Sequence, residues 1–476
     1  MTTARTIAKN TTVLFIATII SYVLGFFINI YIARYLGAEG FGIISLALAL
    51  TGIFAIFTDL GLNTLIIRDI ARDSTLKDNY ITNTTIIKVL LSFFTIGITI
   101  LTVNIIGYNS EVAYVIYILT LYVIFGAFTS IFNSVFQAEQ KMEFMSIGNI
   151  LNSVFLFAGV LLGMYYKLDI FFFAAIYMAA NLLVLIYTIV VYIWKFSMPP
   201  ININLSSWKP KLKEALPFGI TNIFGSIFYW IDSVMLSVMV GNEIVGWYNA
   251  AYRLMFVFLS IYTVYVSAMF PVMSKFYKTS EEFLKFSYER SFKYLLIISL
   301  PIAVGTTLVA DKIILLIYGN AFTPAIPALQ ILIWTVPFLF INGLSGNLLN
   351  SINRQLLITK VTCIAAVFNV IFNLALIPKF SLIGSSFATV VTELGLFFIL
   401  SYVILKTNYF DLKSAVKNFP AILISNGIMV ALIIYLKDIN LFVLILIAAV
   451  GYFVAIFVTR AVDRQDILLL RNIIGK

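Results

Sequence analysis

The chain has 476 residues, of which 62% are hydrophobic and only 11% are charged, and its mean hydropathy is +1.03. Soluble domains carry about 25% charged residues, so this composition excludes a soluble enzyme, a disordered chain and a fibre, and it leaves a polytopic membrane protein. The sequence has no histidine and a single cysteine, Cys363, which excludes a histidine general base, an intrachain disulfide and a zinc cluster.

Apolar runs long enough to cross a bilayer follow one another along the whole chain. A membrane helix needs about 20 apolar residues, and charged residues or Gly, Pro and Asn separate the runs. The sequence therefore predicts an all-α polytopic membrane protein with about 14 transmembrane helices. The predicted helices span about 12–33, 43–67, 84–107, 112–136, 144–166, 170–194, 215–240, 249–274, 292–317, 328–350, 358–378, 382–405, 418–436 and 440–459.

The distribution of lysine and arginine orients these helices. When the N-terminus is placed in the cytosol, 25 of the 31 Lys and Arg residues fall in cytosolic segments and 6 fall on the outer side. We therefore predict a multi-pass protein of the plasma (inner) membrane with both termini cytosolic. The net charge of +10 then reflects topology and attraction to anionic lipid headgroups, and it requires no nucleic acid.

A short segment recurs in the two halves of the sequence. Residues 36–42 read LGAEGFG and residues 240–246 read VGNEIVG, so two glycines and one glutamate match at an offset of 204. Six helices separate equivalent elements, which predicts two six-helix bundles related by a pseudo-two-fold axis along the membrane normal, with a site between them. The predicted organisation is an N-terminal bundle at 1–194, a cytosolic linker at 195–214, a C-terminal bundle at 215–405, and a helix pair with a cytosolic tail at 406–476.

Polar residues recur on one face of the first two helices in each half. In the first half the stripe residues are Thr18, Tyr22, Gly25, Asn29, Ser45, Gly52, Asp59 and Asn63. Their counterparts 204 residues later include Asn222, Ser226, Tyr229 and Asn249. The pattern predicts a polar cavity lined from both halves, and its alternative is ordinary packing of small and polar residues between helices.

Three carboxylates, Asp59, Asp232 and Glu393, lie within the predicted spans. A charge at mid-bilayer costs at least about 2.5–3.5 kcal/mol. We therefore expect each carboxylate to face a wet cavity or a cation. The alternative is a buried ion pair that fixes the fold.

Cationic residues lie at the predicted helix ends. Arg34 and Arg253 are on the outer side, whereas Arg68 and Lys88 are at cytosolic ends. Arginine binds phosphate bidentately, so a cavity with these residues would suit an anionic headgroup. The alternative is that these side chains extend to the membrane surface as interfacial charges.

Several motifs resemble those of a known family. ARYLGAEGFG at 33–42, TDLGL at 58–62 and RDIAR at 68–72 resemble the signatures of polysaccharide-biosynthesis flippases, and IDS at 231–233 and VGWYNAAYR at 245–253 agree with them. The resemblance covers nearly the whole chain and is to a Wzx-type oligosaccharide flippase of the MOP superfamily. That superfamily also contains multidrug (MATE) exporters and lipid II flippases.

The resemblance implies a V-shaped pair of bundles that works by alternating access. The implied cargo is a polyprenyl-(pyro)phosphate-linked oligosaccharide, moved to the outer leaflet for assembly of cell-surface polysaccharide or glycan. The residues implied to bind this cargo are Arg34, Arg68 and Arg253, beside the cavity residues Asn29, Asn222, Tyr229 and Asn249. Asp59 and Asp232, with Glu393, would couple transport to H⁺ or Na⁺ or to the membrane potential, without any other cofactor.

The implied partners are the lipid-linked oligosaccharide, membrane lipids, and glycosyltransferases or a polymerase of the same pathway, and the chain is expected to be a monomer that is not an enzyme. Two transporters remain as alternatives: a MATE-type multidrug or cation antiporter, and a lipid-II-type flippase, whose branch has fourteen helices. A membrane glycosyltransferase or polymerase ranks below them, because such enzymes need a sizeable acidic outer loop.

The predicted topology can be tested by cysteine accessibility in a variant that lacks Cys363. A cysteine placed at Asn109 or Leu168 should react with an impermeant reagent from outside, whereas one at Asp78, Asn204 or Ser280 should react only from the cytosolic side. A consistent exchange of sides would contradict the predicted orientation.

Overall fold

Long apolar helices dominate the computed structural model, which describes residues 3–196, 200, 203–407, 409–411, 417–462 and 466. Within those residues, 11 helices are long and apolar enough to cross a membrane. Three of them are interrupted by a residue whose backbone is not helical, at Gly37, Val309 and Ser381. The interrupted helices with Gly37 and Ser381 are 47 and 51 residues long, enough for two crossings each, and with the shorter apolar helix Phe419–Tyr435 the described chain has about fourteen spans, which confirms the predicted all-α polytopic fold.

The chain packs as two compact units, residues 1–246 and 247–476. The predicted boundaries at 194, 214 and 405 remain predictions, and parts of the predicted linker and tail lie outside the described residues. The helices of the first unit are α1 (Thr3–Phe54), α2 (Leu62–Arg72), α3 (Lys77–Ile106), α4 (Ser110–Ala138), α5 (Met142–Tyr165), α6 (Ile170–Phe196) and α7 (Trp208–Met239).

Helix α8 (Asn242–Thr279) begins at the end of the first unit and continues into the second. The remaining helices of the second unit are α9 (Glu281–Ile317), α10 (Ala325–Leu332), α11 (Thr335–Ser351), α12 (Gln355–Leu405), α13 (Phe419–Tyr435) and α14 (Leu441–Val458).

Helix α3 illustrates how the sequence sorts its faces. Lys88, Ser92, Thr95 and Thr99 recur at helical spacing and are all buried. Apolar residues on the other side are exposed, for example Ile105 at 75%. Since lipid is the solvent for such a surface, the buried polar face points to the protein interior and the apolar face to the bilayer.

In the second unit, a buried cluster of charged groups joins Asp466 to α9. Asp466 accepts hydrogen bonds from Arg290 Nη1 at 2.5 Å, Lys293 Nζ at 2.5 Å and the Tyr294 hydroxyl at 2.6 Å. The Asp466 side chain is 1% exposed. The ion pairs therefore attach a residue near the C-terminus to α9.

The predicted continuous helix at 43–67 is wrong. Helix α1 ends at Phe54, a 3₁₀ turn follows at Ala55–Thr58, and α2 begins at Leu62. Gly61 has a φ of +88°, a conformation that favours glycine and that an α-helix cannot contain. The span is therefore discontinuous at the TDLGL motif.

The glycines of the repeat have structural roles. Gly37 interrupts α1 with a φ of +72°, and its counterpart Gly241 separates α7 from α8 with a φ of +121°. In both halves this glycine lies in the predicted connection between the first two helices, 34–42 and 241–248. Glycine is required at both positions because other residues rarely adopt positive φ.

A second pair of repeat glycines lets two helices approach each other at the backbone. A Cβ atom on Gly42 would lie 1.8 Å from the carbonyl oxygen of Asn242, and a Cβ on Gly246 would lie 1.9 Å from the carbonyl oxygen of Ala38. The two contacts are reciprocal, because Ala38 and Asn242 are also 204 residues apart. Helix α1 and the first turn of α8 therefore cross without side chains between them.

This crossing predicts that Gly42→Ala is destabilising. The new methyl group would meet a main-chain carbonyl that cannot rotate away, and overpacking of this kind costs about 1–3 kcal/mol or more. The measurement is the midpoint of thermal unfolding of the purified protein in detergent.

Gly25→Ala is the matched control, since Gly25 lies in the same helix and an added Cβ there would meet nothing within 4 Å. Its midpoint should be unchanged or slightly higher, because alanine favours helix by up to about 1 kcal/mol over glycine. Equal midpoints for the two variants would contradict the close backbone contact.

Candidate functional site

An open cavity of about 440 Å³ lies in the first unit, beside the interruption that follows α1. One wall comes from the end of α1 to the start of α2 and the other from α7. The lining residues are Gly52, Ala55, Ile56, Asp59, Asn63, Asn222, Gly225 and Ser226. The structure thus brings together five residues of the predicted polar stripes: Gly52, Asp59, Asn63, Asn222 and Ser226.

Asp59 holds the helix interruption in place. Its carboxylate accepts the backbone N–H of Gly61 at 3.2 Å and that of Asn63 at 3.2 Å. Gly61 directly precedes α2 and Asn63 is in its first turn, where backbone N–H groups have no acceptor within the helix. The carboxylate therefore satisfies backbone donors that would otherwise be costly to leave unbonded in a membrane.

Lys88 neutralises that carboxylate from α3. Its Nζ lies 3.0 Å from Asp59 Oδ1, and the lysine side chain is completely buried, whereas the side chain of Asp59 is 19% exposed. Lys88 also donates to Asn63 Oδ1 at 2.9 Å, to the carbonyl of Ala127 at 3.0 Å and to Ser130 Oγ at 2.9 Å. The cavity wall thus contains a carboxylate whose negative charge is compensated by the buried ammonium of Lys88.

Lys88 was predicted to be either an anion-binding cavity residue or an interfacial charge, and both interpretations are wrong, because it is buried and does not line the cavity. The predicted helix began at residue 84, but α3 begins at Lys77, so Lys88 lies well inside it and does not extend to the surface. Its burial could have been predicted from the stripe of Ser92, Thr95 and Thr99 that continues its face. The partner Ser130 carried no such signal, because serines of this kind are common between membrane helices.

Arg68, predicted to bind cargo, is held by two carboxylates. Its Nε donates to Asp69 Oδ1 at 2.8 Å and its Nη2 donates to Glu214 Oε1 at 2.6 Å. These hydrogen bonds, with that of Asp69 the stronger, raise the pKa of Arg68, which is cationic in any case. In this structure the guanidinium binds within the protein and does not line the cavity.

The other predicted residues of the first unit lie outside the cavity lining. Asn29 Nδ2 donates to the carbonyl of Gly25 in its own helix at 2.6 Å. Arg34 and Tyr229 are exposed, whereas Asp232 is buried at 2% exposure. Their assignment to cargo binding or ion coupling remains a prediction.

Asn249, Arg253 and Glu393 belong to the second unit. Asn249 and Glu393 are buried, and Arg253 is partly buried. Asn342 Nδ2 donates to Glu393 Oε2 at 2.7 Å and to the main-chain oxygen of Glu393 at 3.0 Å. One amide thus fixes both the side chain and the backbone of the predicted coupling residue.

The cavity wall is suited to hydrogen bonding with a neutral polar ligand. Asp59 supplies an acceptor oxygen, Asn222 supplies an amide and Ser226 supplies a hydroxyl, whereas the amide of Asn63 is bonded to Lys88 and Ser130. Since Lys88 balances the charge of Asp59, the wall attracts neither a cation nor an anion strongly. Hydroxyl-rich molecules fit this chemistry better than charged ones.

Family comparisons agree with the sequence resemblance. The profile of the family described as "Polysaccharide biosynthesis protein" matches residues 7–277, which is more than half of the chain, and the profile described as "MatE" matches residues 217–375. The two profiles together extend over most of both units.

Individual relatives and solved structures are similar to this chain as well. The chain is 26% identical to the probable low-salt glycan biosynthesis flippase Agl15 of Haloferax volcanii over 85% of both chains. It is 35% identical to an uncharacterized membrane protein of Methanocaldococcus jannaschii, a match that spans only 34% of this chain and 33% of that relative. A solved structure of the lipid II flippase MurJ, in an inward closed conformation, has a TM-score of 0.79 at 16% identity and covers 96% of this chain and 99% of that one.

The cluster around Arg68 predicts a pH dependence of stability. Burial raises the pKa of Asp69, but the hydrogen bonds from Arg68 and Tyr80 together lower it by more than burial raises it. The pKa of Asp69 therefore lies below the ordinary 3.8. A lowered carboxyl pKa contributes stability that is complete above the unfolded pKa and is lost as the pH falls through the folded pKa. Wild type should therefore unfold at a higher temperature than Asp69→Asn near neutral pH, and the difference should shrink below about pH 3.8.

The exposed carboxylate Asp438 provides the control, because Asp438→Asn removes a surface charge of the same type. Its difference from wild type should be small throughout. A difference for Asp69→Asn that is the same at every pH would show that the carboxylate is not stabilised by these hydrogen bonds.

Proposed function

The chain belongs to the polysaccharide biosynthesis protein family, and we propose that it carries a polyprenyl-(pyro)phosphate-linked oligosaccharide from the cytosolic to the outer leaflet by alternating access. It is a multi-pass membrane transporter with the MOP-superfamily fold and is not an enzyme. The naming of the Haloferax relative as a probable glycan biosynthesis flippase supports this choice of cargo.

The observation that carries the proposal is the polar cavity beside the α1–α2 interruption. Sugars present many hydroxyl groups, each able to donate and accept, and the lining offers carboxylate, amide and hydroxyl partners for them. A volume of about 440 Å³ lies within the range of about 300–1,000 Å³ typical of small-molecule sites. It would hold part of the oligosaccharide while the polyprenyl chain stays in lipid.

The charge of the cavity favours this cargo over a cationic drug. A multidrug antiporter of the MATE type would need a carboxylate available to a cation, whereas Asp59 is paired with Lys88 at 3.0 Å. A lipid-II-type cargo also carries sugars and a pyrophosphate, so it remains the second candidate, and the MurJ-like fold favours it.

The remaining features of the proposal concern charge and location. Arg34 and Arg253 are the arginines proposed to bind the phosphates, because both lie in motifs that resemble the family signatures. Coupling to H⁺ or Na⁺ is proposed for the buried carboxylates Asp232 and Glu393.

The protein would act in the plasma membrane with both termini cytosolic. It would be a monomer that receives its cargo from glycosyltransferases of the same pathway.

Filling the cavity tests the proposal without altering any charge. An added Cβ on Gly225 would meet nothing within 4 Å, so Gly225→Phe should place a ring in the cavity without displacing the backbone. Translocation of a fluorescent lipid-linked oligosaccharide across proteoliposomes should fall at least about tenfold, since a blocked site loses more than 1.4 kcal/mol of binding.

Gly97→Phe is the matched control. Gly97 is also a helical glycine with open space around its Cβ, but it lies on the exposed face of α3 and does not line the cavity. This variant should translocate at the wild-type rate. Full translocation by folded Gly225→Phe, or export of ethidium with no movement of the oligosaccharide lipid, would refute the proposal.

A further inference from the structure

The Lys88 ammonium lies inside a cage of oxygen atoms. Four oxygens surround its Nζ at 2.9–3.0 Å: Asp59 Oδ1, Asn63 Oδ1, the carbonyl of Ala127 and Ser130 Oγ. An ammonium has only three N–H groups, so the number of oxygens exceeds what hydrogen bonding to a lysine requires. The arrangement has the form of a coordination shell around a small cation.

The chemistry of the four oxygens is that of a site for a hard cation. They comprise one carboxylate, one amide oxygen, one hydroxyl and one main-chain carbonyl, which are the ligand types of sodium-like and calcium-like ions in proteins. A single carboxylate gives the shell a charge of −1, which matches a monovalent ion.

The cage oxygens are also held by one another. Asn63 Nδ2 donates to Ser130 Oγ at 3.0 Å, and Ser130 Oγ donates to the carbonyl of Ala127 at 2.6 Å. Asp59 is fixed independently by the two backbone N–H groups at the start of α2. The shell is therefore supported by contacts other than those of the lysine.

We propose that these four oxygens form a monovalent-cation site in which Lys88 is a tethered occupant, so that the native protein needs no dissolved ion there. The lysine supplies the charge that keeps the helix interruption and the cavity wall intact. Asp59 then exchanges no ion during transport, and any gradient coupling belongs to other carboxylates. If the ammonium is removed, the cage becomes a binding site for Na⁺, K⁺ or ammonium ions.

The test measures thermal unfolding of the purified full-length protein in detergent. Sodium, potassium, ammonium and methylammonium chloride are titrated against choline chloride at equal ionic strength, because choline is too large for the cage. Any response of wild type to sodium or potassium should be the same in Asp59→Asn, because the cage already holds the ammonium and other carboxylates would bind a coupling ion. Lys88→Met should unfold at a lower temperature in choline and recover saturably in at least one small cation, as ligand binding to the folded state requires.

Two controls isolate the cage. Lys88→Met combined with Asp59→Asn should lose the cation response, because the carboxylate is gone. Lys211→Met removes another partly buried lysine, which donates to Asn79 Oδ1 at 2.8 Å outside any such shell, and it should respond to the salts as wild type does.

Two results would overturn the proposal. One is stabilisation of wild type by sodium or potassium over choline that disappears in Asp59→Asn, which would mean that the native site takes a dissolved ion. The other is a Lys88→Met protein with the same unfolding curve in every salt. If Lys88→Met does not fold in any of them, Lys88→Gln replaces it and the same two results decide.

Discussion

A carboxylate within a membrane span is stable only if hydrogen-bond donors and a positive charge lie next to it. Asp59 has both. The lysine ammonium at 3.0 Å and two backbone N–H groups take three of its acceptor positions, and one position on Oδ2 remains for the cavity. A helix can therefore stop after Phe54 and start again at Leu62 without leaving unbonded backbone groups in lipid. The widened space beside the interruption becomes the cavity, so its existence depends on this ion pair.

The same pair also determines what the cavity can recognise. A lone carboxylate in a low-dielectric wall would select cations, and a lone ammonium would select phosphate. Because the two charges cancel, the wall is polar but has little net charge. The cavity therefore distinguishes ligands by the geometry of their hydrogen bonds. This division of labour suits a long amphiphilic cargo whose charged group is recognised elsewhere on the protein.

Most of the helices and part of the polar lining could be predicted from the sequence, because both follow from hydropathy and from helical periodicity, but the other stripe residues do not line the cavity. Gly52, Asp59, Asn63, Asn222 and Ser226 were assigned to one lining from spacing alone, and they do share a cavity. Hydrogen-bond and ion-pair partners from distant segments of the chain could not be predicted from spacing or periodicity. Lys88 was misplaced because polar residues before 84 hid the true start of its helix, and the Arg68–Glu214 pair joins residues 146 positions apart.

The backbone crossing at Gly42 and Gly246 has the symmetry of an isologous contact, in which each element gives and receives the same interaction. Ala38 faces Gly246 as Asn242 faces Gly42. One small displacement of either helix would relieve both positions together. Enlarging both glycines should therefore cost less than the sum of the separate changes, and the two positions behave energetically as a single site shared by two distant stretches of sequence.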